Sequence, residues 1–250
     1  NTNSTIAASD LKNIGNATTG AVTVSNLVKV TGNQADVTAA LVTEASKVVF
    51  GTANTLAEVS NAVTASQGQA IAATTNISAA FAGGVTDSVA NLYDANNTAI
   101  STNFNAIKTE DSDVAVTISD SAFSANTNNN TIAAARLHAI GNATTGTVTV
   151  SNAVKITGSQ SDVTAALVTE ASKVTAASAL VTISDNAFAN TNSTIAASDL
   201  KNIGNATSGA VTVTNAIKIT GTQSDVTAAL VTEASKVSAG SALVTISDNA

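Results

Sequence analysis

Residues 194–250 read TIAASDLKNIGNATSGAVTVTNAIKITGTQSDVTAALVTEASKVSAGSALVTISDNA, and residues 131–187 repeat them at 46 of 57 positions without a gap. The offset is 63 residues. Residues 1–48 match 190–237 at 41 of 48 positions, at three times that offset. Self-similarity at a fixed period marks a repeat architecture, in which each unit buries its apolar face only against its neighbours. The functional question then shifts from what one unit does to what a stiff array of units does.

Local patterns define the elements of one copy. Residues 195–203 place Ala196, Leu200 and Ile203 on one side at helical spacing. Ser193 or Thr194 is placed to cap this short helix, Asp199 suits its first turn, and Gly204 suits a left-handed end. Residues 211–214 and 217–220 alternate as half-buried strands, the second ending at Gly221. Thr222-Gln223-Ser224-Asp225 has the spacing of a capping box, a device that recurs as Asn33 with Asp36 and as Ser159 with Asp162. The second helix then runs through Val226, Ala229, Leu230, Glu233 and Ala234, with Lys236 near its end, where a positive charge favours the dipole. Residues 243–247 alternate as a further strand.

A copy thus amounts to two β–α coils of about 30 residues each, neither able to bury its apolar face alone. Helical connections between strands of one sheet favour parallel pairing and right-handed crossovers. The expected fold is α/β, a repeat solenoid of stacked β–α coils with an extended parallel sheet and rows of helices behind it. A right-handed parallel β-helix is the alternative, and the helix caps speak against it.

On this reading 1–250 form a single solenoid. Residues 1–48 are a partial copy, 49–114 a divergent copy or insert, and 115–187 and 188–250 further copies. The divergent segment carries Phe50, Phe81, Tyr93 and Phe104 and has a more helical pattern; a degenerate copy with a packing role is expected there. A specialised insert for a lateral contact or a ligand is the sharper alternative. The chain starts at the equivalent of Asn190 and ends at the equivalent of Ala187. It is therefore expected to be part of a longer array, or a subunit that continues into another copy.

Composition narrows the chemistry. Apolar residues make up 44%, drawn from Ala, Val, Ile and Leu, with five Phe, one Tyr and no Trp, Met, Pro or Cys. Small and β-branched side chains suit thin, regular layers. Only 11% of residues are charged, against about 25% in ordinary domains. Solubility therefore rests on Thr, Ser and Asn, which is the habit of secreted or surface-exposed material. The net charge of −7 argues against nucleic acid, since no basic stripe faces phosphates. Absence of Cys removes disulfides, thiolate chemistry and the common zinc sites. No run of about 18 apolar residues is present to span a membrane.

Catalysis requires groups held together with matched proton affinities. The single His, His138, takes the slot of Lys12 and Lys201 and is expected on the exposed side of the short helix. No Gly-x-Ser-x-Gly elbow or phosphate loop occurs, and Gly83-Gly84 reads as a turn. No catalytic residue and no cofactor are therefore expected. Asp120, Asp185 and Asp248 recur in Ile-Ser-Asp and are weak calcium candidates, because a hard-ion loop needs several oxygen ligands. Turn formation is the simpler role for them, and a solvated loop for Glu110, Asp111 and Asp113. Thr149 aligns with Thr212 across copies, and Thr182 with Thr245, so stacking would line them into ladders. Such a face could meet a carbohydrate, a surface or ice, or simply keep a sheet soluble. Asn16, Asn142 and Asn205 begin glycosylation-type sequons.

Three elements carry a resemblance: Val-Thr-Ile-Ser-Asp at 244–248, Ala-Ala-Ser-Asp-Leu-Lys-Asn-Ile at 196–203, and Thr-Gly-Thr-Gln-Ser-Asp-Val at 220–226. With their counterparts they resemble tandem repeats of very large secreted or cell-surface proteins of bacteria, especially cyanobacteria. The likeness covers most of the chain and weakens between 49 and 114. It implies surface display, adhesion, S-layer or filament formation, and transfers no functional residue. The expected partners are further copies stacked end to end, within one chain or between chains, and surface polysaccharide.

Overall fold

The computed structural model describes every residue except 1–3, 44–47, 52–54, 97, 126–129, 170–173, 192, 233–236 and 249–250. The fold is α/β with mostly parallel sheets. Two compact units are present: Asn1–Thr117 with Ala143–Thr147, and Ile118–Asn142 with Val148–Ala250.

In the second unit the two sequence copies fold alike. Residues 194–250 give strand Thr194–Ala196, helix Ala197–Asn205, strands Val211–Val213 and Lys218–Gly221, helix Gln223–Leu230, and strands Val237–Ser238 and Leu243–Ile246. Residues 131–187 give the same order from strand Thr131–Ala133 to strand Leu180–Ile183. Five strands pair in parallel: Thr131–Ala133, Lys155–Gly158, Leu180–Ile183, Val211–Val213 and Val237–Ser238. Three come from one copy and two from the next.

The register explains why these residues form strands. Ile132, Ile156, Val181, Val211 and Val237 lie side by side across the sheet. Ile156, Val181 and Val211 are fully buried or nearly so. One residue on, Thr157, Thr182, Thr212 and Ser238 form the adjacent row and point away from that core. This is the two-residue period of a strand with one face on the core. Each connection runs through a helix or a long loop, which parallel pairing needs.

The structure corrects several sequence expectations in detail. Residues 194–196 are strand, not helix: Ile195 is buried and sits beside Ile219 in a parallel ladder, so its β-branched side chain serves the sheet. The helix starts only at Ala197, and its N-cap Ala196 supplies no side-chain hydrogen bond, so neither Ser193 nor Thr194 caps it. Gly204 lies buried inside the last turn, and the helix closes at Ala206 in right-handed conformation. The second helix ends at Leu230, shorter than expected; Glu233, Ala234 and Lys236 lie outside the described residues.

In the first unit Thr5–Ala7, Lys29–Gly32, Thr55–Val59 and Ile77–Ala80 form a four-stranded parallel sheet. The divergent segment is less helical than its pattern suggested, since Ile77 and Val85 lie in strands. Its large residues do pack a core: Phe81, Phe104, Ile71, Leu92 and Ile107 are fully buried. Gly68 on helix Ala65–Ala72 lets helix Thr102–Glu110 approach so closely that a Cβ there would meet Ile107 Cδ1 at 2.5 Å. Gly84 is a turn residue with φ +74°, its N–H donating to the Phe81 carbonyl at 2.7 Å. Glu110 and Asp111 belong to no solvated loop. Their carboxylates accept the backbone N–H groups of Ala79 and Phe81 and so cover the edge of the Ile77–Ala80 strand.

Ile156 is fully buried in the core row, flanked by Ile132 and Val181. Ile156→Ala is expected to lower the unfolding free energy by about 2–5 kcal/mol, read as a fall in the urea midpoint at unchanged slope.

Candidate functional site

The polar groups named as candidates bind the protein's own backbone. His138 is half-buried, not exposed. Asn142 Nδ2 lies 2.9 Å from its Nε2 and the Ala165 carbonyl 3.2 Å from its Nδ1, so the ring links helix Ala134–Ala143 to helix Gln160–Leu167. Where the other copies carry Lys, an ion pair does the same work. Lys12 meets Asp36, and Lys201 Nζ meets Asp225 at 3.1 Å.

The three helix caps form as expected at the backbone. Asn33 Oδ1, Ser159 Oγ and Thr222 Oγ1 accept the N–H groups of Asp36, Asp162 and Asp225 at 3.0–3.1 Å. The return arm differs, for each Asp carboxylate accepts from the side chain of its capping residue. A full reciprocal box occurs at Thr64 and Gln67.

Asp185 and Asp248 have a role that sequence reasoning missed. Asp185 Oδ2 accepts the N–H of Gln160 at 2.6 Å, and Asp248 Oδ2 that of Gln223 at 2.8 Å. Each therefore caps the first turn of the helix that precedes it by one coil, satisfying a donor that no helix can satisfy internally. Asn61 does this for Gln34 and Asp87 for Ala65. The signal was present as a constant spacing of 25 residues from Gln160 to Asp185 and from Gln223 to Asp248. The Asp120 carbonyl accepts from Asn152 Nδ2 at 2.8 Å. Among the described residues no three His, Asp or Glu side chains gather as a metal site.

The threonines pair differently from the expected ladders. Thr149 lies beside Thr175, Thr182 beside Thr157 and Thr212, and Thr245 beside Thr220. Residues aligned at the copy period do not neighbour one another, because the sheet interleaves strands from different places in the repeat. Thr182, Thr212 and Thr214 line a shallow groove of about 230 Å³ with Phe123 and Lys155, the Lys155 ammonium 5.3 Å from the Phe123 ring centre. Asn16, Asn142 and Asn205 are all exposed.

The most unusual surface is apolar. Leu243, Val244 and Ile246 are 56%, 47% and 54% exposed, whereas Val181 and Ile183, one copy earlier, are buried beneath Val211–Val213. Their sheet, Thr194–Ala196, Lys218–Gly221 and Leu243–Ile246, has three strands among the described residues. In the first unit, Val22–Val24 and Val48–Phe50 form a sheet of two strands among the described residues. Val22 and Val24 are half-buried, although their counterparts Val211 and Val213 are buried. Ile14 is 51% exposed where Ile140 and Ile203 are fully buried.

Compared with protein-family models, curated proteins and solved structures, the chain matches none.

Two acids shift in one direction and one in the other. Hydrogen bonds from Lys12 and then Asn33 hold Asp36 below its ordinary 3.8, and Lys201 and then Thr222 do so for Asp225. Their support for the fold is present above pH 3.8 and is lost as pH falls through the lowered values. Burial pushes Asp111 up, opposed by the Phe81 N–H and aided by neighbouring Asp113. Its contribution has the opposite sign, being full below 3.8 and lost as pH rises through the raised value. Lys201→Met is expected to move the carboxyl titration of Asp225, followed by NMR, back toward 3.8 and to leave Asp36 in place. Asp185→Ala removes a cap and should cost about 0.5–2 kcal/mol in urea unfolding.

Proposed function

We propose that this chain is a non-catalytic structural repeat module: a solenoid of stacked β–α coils that builds or extends an extracellular surface protein or fibre. One observation carries the reading, namely the junction between the 131–187 and 194–250 copies. It is a strand ladder, Val181 to Val211, Thr182 to Thr212 and Ile183 to Val213. Short side chains brace it: Thr207 Oγ1 donates to the Ala179 carbonyl, Thr214 Oγ1 to Ile183, and Asn215 Nδ2 to Asp185. Nothing in this joint depends on a feature outside the repeat, so each further copy can form it again. Stability then grows by nearest-neighbour contacts.

The low charge and the reliance on Thr, Ser and Asn support an extracellular setting, with other repeats as partners. The hydrogen bonding of His138 and Asp185 to neutral partners supports a role without catalysis or calcium. A second reading, an adhesin-type module that recognises carbohydrate, a surface or ice, rests on the groove at Thr182, Thr212 and Thr214. Thr212→Arg would fill that groove; loss of binding to a polysaccharide or to ice, with folding intact, would favour this reading over a pure scaffold.

The structural reading is tested by inserting a second 131–193 segment after residue 193. The longest dimension in small-angle scattering should rise by one fixed increment per inserted copy, and the unfolding midpoint should rise with it. A chain that keeps its dimension, or that melts separately at the insert, would count against the solenoid.

A further inference from the structure

Lys29 and Glu58 lie on neighbouring strands of the first unit and form an ion pair. Lys155 holds the place of Lys29 in the second unit, and Thr182 holds the place of Glu58. Thr31 faces Glu58 across one ladder, and Thr157 faces Thr182 across the other. With a hydroxyl in place of the carboxylate, no acid pairs with Lys155 among the described residues. Its ammonium lies instead 5.3 Å from the centre of the Phe123 ring. The Phe123 N–H donates to the Ala153 carbonyl at 2.9 Å and fixes the loop that brings the ring there. The device recurs one repeat later. Lys218 lies 5.6 Å from the Phe188 ring centre, and the Phe188 N–H donates to the Ala216 carbonyl at 2.8 Å.

At the first of these places the groove gathers three kinds of chemistry. Phe123, Leu180 and the methylene stem of Lys155 give it apolar walls. Thr182, Thr212 and Thr214 bring hydroxyls. Thr214 Oγ1 donates its proton to the Ile183 carbonyl at 3.1 Å, which leaves a lone pair to accept from a ligand. The ammonium adds a charge, and a cation over an aromatic face keeps N–H donors for an anion. At about 230 Å³ the groove is smaller than the roughly 300–1,000 Å³ of pockets for drug-sized ligands. It suits a single sugar ring.

We propose that this groove binds an acidic saccharide, taking one uronate unit of a polysaccharide. The carboxylate would meet Lys155, the ring hydroxyls Thr182, Thr212 and Thr214, and the apolar C–H face Phe123 and Leu180. The inference rests on the adhesin-type reading above and names its ligand class. A neutral sugar or ice would leave the ammonium without a counter-charge. An acidic peptide has the charge but few hydroxyls for the threonines. The chain as a whole carries −7, so the attraction is local, acting within a Debye length of about 8 Å at physiological salt.

Titration of the isotope-labelled chain with trigalacturonate, followed through the amide signals of Thr182 and Thr212, tests this. The signals should shift to saturation, and added sodium chloride should weaken binding. The methyl ester of the same trisaccharide should bind about tenfold more weakly or worse, because the charge-assisted contact is gone. Thr182→Glu gives Lys155 the partner that Lys29 has, at a place where the first unit already accommodates Glu. It should keep the circular dichroism of the parent and lose affinity by a similar factor. Lys155→Met, which keeps a stem beside the ring, should do the same, and Lys155→Arg should retain binding. An ester that binds as tightly as the acid, or a Thr182→Glu chain that binds like the parent, would overturn the assignment. A triglutamate peptide that moves the same amides as strongly would overturn the saccharide as the ligand. If trigalacturonate fails while neutral maltotriose binds and Thr212→Arg abolishes that binding, the adhesin-type reading stands without this ligand. No response to either sugar removes both.

Discussion

A parallel sheet that no single repeat completes is the constraint on which the rest depends. Val181 and Ile183 become buried only when Val211–Val213 of the next copy lies beside them. The hydrophobic gain from ordering one copy is therefore realised at its boundary with another. On the proposed solenoid reading, such coupling would make a stack cooperative from copy to copy. At Leu243, Val244 and Ile246 the same residue types that are core one copy earlier lie at the surface.

Around that sheet the polar groups act as fasteners between successive coils. Asp185 and Asp248 cap helices that lie one coil earlier, and Lys12, His138 and Lys201 each tie the first helix of a copy to the second. Exposed ion pairs contribute little individually. At the third such site His138 meets a backbone carbonyl and the Asn142 amide in place of a carboxylate, and the helices keep their tie. Position matters more here than charge. Buried Thr144 and Thr207 serve likewise, closing carbonyls that the strand ladders leave unsatisfied.

Much of the fold was legible in the sequence because the repeat states its periods several times. The alternation at 211–213 and 218–220, the helix at 223–230 and its cap at Thr222 are all local signals, and they hold. The error at 194–196 has a physical reason: Ile195 fits a helical stripe and a strand equally, and its ladder to Ile219 decided between them. Local sequence does not contain that long-range choice. The same applies to the threonines. Alignment placed Thr149 with Thr212, but the sheet sets Thr212 beside Thr182, because strand order follows the interleaving of coils. The apolar candidate surface was hidden for a related cause. The sequence at 243–246 matches that at 180–183 apart from nothing local, and only the packing distinguishes buried from exposed.

Amide hydrogen exchange on the dilute chain tests the central claim most directly. The Val181 N–H donates to the Ala210 carbonyl across the copy boundary at 2.9 Å. Val244 occupies the same place one repeat later, on the open edge of its sheet. Slow exchange at Val181, near the limit set by global unfolding, with faster exchange at Val244, is the expected result. Equal protection of the two amides would contradict a sheet completed across repeats.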